Sequence, residues 1–297
     1  MTRRLLLTAP LLLGAQTPDP VLRVDVKLIR VLSSVRDPYG QLVGGLTQDD
    51  FQIFDNGVEQ KIAVFERSTT QELSIVVMLD ISASVAKDLK YETEAALRFA
   101  RSVFKEGNPD DSIALITFNH EVDLIAGFTR RIQRLENALR NIRTGSGTSL
   151  YDAFWLASEE LEGREGRKVI ICVSDGGDTA SFKKFNSANI AVQRAQAAVY
   201  PILVTPITND AGRNIGGENA MQLIAERSGG RVLQPSTYDK LSQSFEEVLR
   251  DLRTQYLLAF YPKNLSPTTN RFHRLEVKTS RPGLRISARN GYYEETL

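Results

Sequence analysis

From Ser74 to Tyr256 the chain alternates short apolar runs with longer stretches of helical period. Few folds accept that alternation: it is the pattern of a mostly parallel sheet buried under helices on both faces. The runs LSIVVMLD (73–80), SIALITFN (112–119), VDLIAGF (122–128), KVIICVSD (168–175), VYPILVTP (199–206) and RVLQP (231–235) read as its strands. Most are apolar throughout, as central parallel strands are. Between them Ile132, Leu135, Leu139 and Ile142 share one helical face, as do Leu150, Phe154, Ala157 and Leu161, and then Leu241, Phe245, Val248 and Leu252. These stripes are core.

The flanks follow a different pattern. Residues 21–67 carry short alternating runs broken by the turn signals DPYG and DNG, and residues 256–290 repeat the habit around YPKNLSP and RPG. Each flank is too small to bury a core alone, because a few strands need a partner for independent stability. The expected architecture is therefore an α/β, doubly wound, mostly parallel sheet at 72–252, inserted in a small all-β sandwich built from 21–67 and 256–295. Separate helical packing of each flank on the central domain is the alternative.

Arg3 and Arg4 precede the apolar stretch Leu5 to Leu13, and Gly14 and Ala15 follow it. This is the layout of an export signal over residues 1–15, and the stretch, interrupted by Pro10, falls short of the ~20 residues that span a bilayer. A secreted or periplasmic protein is expected, with no transmembrane segment once the signal is removed; TRRLLL also resembles a loose twin-arginine signal. Taking Arg3 and Arg4 from the 37 basic residues leaves the 36 acids one ahead, which gives no general attraction to nucleic acid or anionic lipid. Cys172 is the only cysteine, so no internal disulfide forms, and its apolar surroundings suit a buried thiol. His120 and His273 flank nothing that resembles a nucleophile.

Chemistry gathers where the strands end. Ligands of open parallel sheets bind beyond the carboxyl ends of the strands, and there Asp80 closes one run while Asp175 closes another. The loop TGSGTSLYD brings Thr148 to a helix start. Asp80, Ser82, Ser84, Thr148 and Asp175 then make an all-oxygen set of the kind small hard cations take, magnesium above all, since it is held by one or two carboxylates and keeps part of its water. Two carboxylates roughly neutralise such an ion and leave room for an outside one. Helix capping by Asp80 or by Thr148 and Ser149 is the simpler reading of each piece alone, but it does not account for the second strand ending in VSDGGD.

Residues 72–250 resemble a von Willebrand factor A domain, and Asp80-Ile-Ser82-Ala-Ser84, Thr148 and Asp175 match that family's metal-ion-dependent adhesion site. The resemblance implies a divalent cation, magnesium first with manganese or calcium as alternatives, and a glutamate or aspartate of a protein partner as its last ligand. Asp178 is treated as an outer or solvated acid. The stretch VRDPYGQLVGGLTQDDFQIFDNGVEQKI (35–62), with YLLAFYP and RPGLRISARNGYY, is similar to the flanks of secreted bacterial von Willebrand factor A-related proteins. What this implies is an exported, metal-dependent protein-binding module, for adhesion or scaffolding, and not an enzyme. Two alternatives stand beside it: a magnesium-dependent phosphoryl-transfer enzyme, disfavoured by Ser82 where a second acid is needed and by the absence of GxxxxGK or G-x-S-x-G, and a structural domain whose metal stabilises loops.

Overall fold

The amino-terminal flank supplies four strands: β1 (Ile29–Arg36), β2 (Phe51–Asp55), β3 (Val58–Gln60) and β4 (Ile62–Arg67). The middle of the chain runs β5 (Leu73–Asp80), α1 (Leu89–Glu106), β6 (Ser112–Phe118), β7 (Val122–Thr129), α2 (Ile132–Leu139), α3 (Leu150–Leu161), β8 (Arg167–Ser174), α4 (Phe185–Ala195), β9 (Ala198–Leu203), α5 (Ile215–Ser228) and α6 (Leu241–Thr254). It closes with β10 (Tyr256–Phe260), β11 (Phe272–Thr279), β12 (Arg285–Ala288) and β13 (Gly291–Tyr293). This is a computed structural model, and it describes residues 28–67, 70–85, 87–204, 214–265, 268 and 271–294. The expected export signal at 1–15 lies outside them.

The central sheet has the order β7-β6-β5-β8-β9. Strands β6, β5, β8 and β9 are parallel, while β7 is antiparallel to β6 because only three residues join the pair, too few for a crossover. Leu73, Ile75, Val77 and Leu79 of β5 pack with α1, α2 and α6, whereas Val76 and Met78 pack with α3, α4 and α5, so both faces are covered. The run RVLQP does not form the expected sixth strand. Leu233 makes a single parallel bridge to Ile202, and Pro235, which lacks an N–H, stands where the ladder would continue.

Both flanks build one sandwich, of the orders β12-β1-β10-β4 and β13-β11-β2-β3, and every pairing in it is antiparallel. Asn56 and Gly57, at φ 49° and 82°, make the two-residue turn from β2 to β3 that the DNG signal anticipates. The core joins Val31, Phe51 and Ile53 to Tyr256, Leu258, Phe260 and Leu275. Tyr256 also donates its hydroxyl to the Val43 carbonyl at 2.8 Å and accepts from Leu46 N at 3.1 Å, which ties β10 to the loop after β1. The flanks also rest on helices of the central unit, β13 against α4 and β12 against α5, and Asn290 N donates to the Arg227 carbonyl of α5. The buried Asp251 of α6 fastens the two halves together, accepting from Arg36 of β1 and, at 2.6 Å, from Arg231.

Candidate metal centre

β5 leads through α1 to β6 on one side, and β8 leads through α4 to β9 on the other. The strand order therefore diverges between β5 and β8, and this is where an open α/β sheet leaves a crevice. Leu79 is in register with Val173, which sets Asp80 beside Ser174 and Asp175 one residue beyond.

Asp80 is fully buried. Its Oδ1 accepts from Ser82 N at 2.9 Å and its Oδ2 from the Ser174 hydroxyl at 2.6 Å. Burial pushes its carboxyl above the ordinary range, the hydrogen bonds from Ser174 and Ser82 oppose that, and the nearby Asp175 charge adds to it. Neither oxygen caps a helix: α1 begins at Leu89, with Asp88 as its N-cap. Asp80 instead pins the turn that carries Ser82 and Ser84. Their hydroxyls are hydrogen-bonded to each other at 3.0 Å, a spacing that also matches the ~3.0 Å between adjacent corners of an octahedron with ~2.1 Å bonds. Ser82 is buried and bridges to Gly145, while Ser84 is exposed.

Thr148, also buried, is held by its main chain: its N–H donates to Thr179 Oγ1 at 3.0 Å and its carbonyl accepts from Thr179 N and Ala180 N. Ser149, the N-cap of α3, makes no side-chain cap and donates instead to the His120 carbonyl. The first turn of α3 is served by Ser181, which accepts from Tyr151 N at 3.0 Å and donates to Asp178 at 2.5 Å. Asp178 thus has a capping partner that the sequence reading did not give it. Asp175 is half-buried, and its Oδ1 accepts from Gly177 N at 3.0 Å. The loop bends at Gly176, φ 89°, where it meets the start of α5; a Cβ on Gly217 would stand 1.5 Å from the Gly176 carbonyl.

The five expected residues therefore come from three adjacent loops at one sheet edge. Their donor chemistry, two carboxylates and three hydroxyls, fits a hard divalent cation, and the hydroxyl spacing supports that fit. Among the described residues no three His, Cys, Asp or Glu side chains converge to hold a metal ion by themselves, so the hydroxyls are indispensable to any such site. Two neighbours were missed in the sequence: Ser174, and Glu92 in the first turn of α1. Glu92 is fully buried, and both its carboxylate oxygens lack a hydrogen-bond partner. Cys172 is free and buried, as its setting in β8 suggested.

Residues 75–177 match the family described as von Willebrand factor type A domain. The fold is similar to that of the vWF domain of the type V pili tip protein Mfa5 from Porphyromonas gingivalis, at 14% identity and a TM-score of 0.52, covering 61% of this chain and 95% of that one. It is also similar to a mutant of the PilB minor pilin from Streptococcus sanguinis, at 10% identity and a TM-score of 0.51, covering 62% of each chain. A search of the curated proteins finds no match.

Proposed function

We propose that this chain, whose residues 75–177 form a von Willebrand factor type A domain, is an exported, metal-dependent protein-binding module acting in the periplasm or outside the cell. Asp80, Ser82, Ser84, Thr148 and Asp175 hold a divalent cation, magnesium in the first place, and an aspartate or glutamate of a protein partner completes its coordination. The observation that carries this reading is the pair of hydroxyls, Ser82 and Ser84, 3.0 Å apart beside the Asp80 and Asp175 strand ends. The bound cation supplies a positive anchor for the partner's carboxylate.

The chain's own residues do the rest. Asp80 fixes the serine turn through Ser82 N, Ser174 keeps Asp80 oriented, and the buried Thr148 closes the inner side. Exposed Ser84 and half-buried Asp175 leave the solvent side open. Two large apolar side chains border the same loops, Phe182 at 91% and Ile215 at 66% exposure, and offer a protein partner contact area around the anchor. No helix among the described residues is long and apolar enough to cross a membrane. An activity of the phosphoryl-transfer type lacks its second acid at Ser82, which favours binding over catalysis.

Calorimetric titration with Mg2+ or Mn2+ tests the site, and surface plasmon resonance against a partner recovered from the envelope fraction tests the bridge. Chelation and Asp80→Ala should abolish partner binding alike. Unchanged partner affinity in chelator would falsify the bridged mechanism.

A further inference from the structure

A buried carboxyl group with no hydrogen bond is expensive to keep, because nothing replaces the water it lost. Glu92 is such a group: fully buried, with Oε1 and Oε2 both unpartnered among the described residues. Its position is not accidental to the metal centre. It lies in the first turn of α1, the helix that leaves directly from the Asp80–Ser84 turn, with its N–H on the Asp88 carbonyl at 3.2 Å. On the apolar stripe of α1, formed by Ala95, Ala96, Phe99, Ala100 and Val103, it takes the end nearest the site. Burial first, and then the charges of Asp80, Asp88 and Asp175, push its carboxyl well above the ordinary range in the absence of a cation, and among the described residues no basic side chain opposes them.

From this we infer that Glu92 is a further cation-holding residue of the same centre, accepting a hydrogen bond from water on the cation. The inference rests on the metal-binding reading given above. Direct ligation by Glu92 together with Asp80 and Asp175 is not what the arrangement offers, since no three acids converge on one point. Magnesium retains several of its waters when protein-bound, and those waters need acceptors. An orphan carboxylate behind the site supplies one, and affinity in oxygen-ligand sites rises with the number of carboxylates. The cation in turn provides the positive charge that Glu92 lacks.

The test is calorimetric titration of Mg2+ and Mn2+ into the whole protein and its Glu92→Gln variant, with thermal unfolding of each in chelator. Glu92→Gln keeps the shape and removes the charge. Expected is at least a tenfold weaker cation affinity in the variant, with its cation-free melting temperature equal to the wild type's or higher. A merely structural glutamate predicts equal affinities, and that result overturns the inference while leaving the five-residue centre standing. If the wild-type protein itself takes up no cation, both fall. Should Glu92→Gln not fold, Glu92→Met, which fills the buried space without a polar group, is titrated in its place: an affinity at least tenfold below the wild type's supports the role, and an equal affinity refutes it.

Discussion

Ser174 of β8 donates its hydroxyl to Asp80 of β5 at 2.6 Å, one buried bond joining the two strands that carry the proposed metal centre. The same oxygen accepts from Gly176 N at 3.1 Å. Ser174→Ala therefore leaves a buried carboxylate oxygen and an N–H without partners at once. A stability loss of about 1–3 kcal/mol is expected, read from urea unfolding, together with weaker cation uptake because Asp80 is no longer oriented. Wild-type stability in the variant would mean that water replaces the hydroxyl at no penalty.

Thr148→Ala separates a ligand from a helix cap. The main-chain bonds to Thr179 and Ala180 survive the change, so stability should fall by no more than about 1 kcal/mol, the size of a lost cap. Cation affinity should fall about tenfold, or about 1.4 kcal/mol. Equal affinity in a calorimetric titration removes Thr148 from the set.

Asp50 gives the sandwich an acid-sensitive clasp. The Arg281 side chain and the Thr47 N–H hold its carboxyl at about 2, below the 3.8 of an unperturbed aspartate. A lowered acid stabilises the fold fully above its unfolded value and loses that contribution as the pH falls from 3.8 toward about 2. Arg281→Gln should flatten this part of the pH dependence. Urea midpoints measured at about pH 5 and about pH 2.5 check it, and an unchanged slope in the variant contradicts it.

Deleting residues 257–297 should expose the amide hydrogens of β1 to β4 to exchange while those of β5, β6 and β8 stay protected. In the intact protein β1 and β4 pair only through β10, and β2 pairs with β11. Hydrogen exchange followed by mass spectrometry reads both regions in one experiment. Retained protection across residues 29–67 would show that the amino-terminal flank holds together alone.

Much of this was legible because apolar runs and turn residues act locally. LSIVVMLD becomes β5 over the same residues, and DNG becomes the β2–β3 turn. The limit appears where a neighbour decides. RVLQP has strand composition, but it lies at the sheet edge, where Leu233 finds only Pro201 and Leu203 for its main chain and Pro235 stops the ladder. The five oxygen residues stand in recognisable short patterns, whereas Ser174 and Glu92 are hidden inside a strand and a helix. Glu92 did leave a trace: it occupies the stripe position that Ala95, Phe99 and Val103 continue at helical spacing, and an acid there breaks the pattern.

The place of β10 between β1 and β4 imposes an order in time. During synthesis, residues 29–67 emerge long before the strand that joins them, and the whole of 73–254 must come between. Pairings so distant in sequence form slowly, while the central sheet lies wholly within residues 73–203 and can close before β10 is made. The amino-terminal strands thus spend the interval with unpaired edges, the state most open to pairing with the wrong chain. Their short β3 and the charged Glu66 and Arg67 at the end of β4 serve a chain that must wait for its own far end.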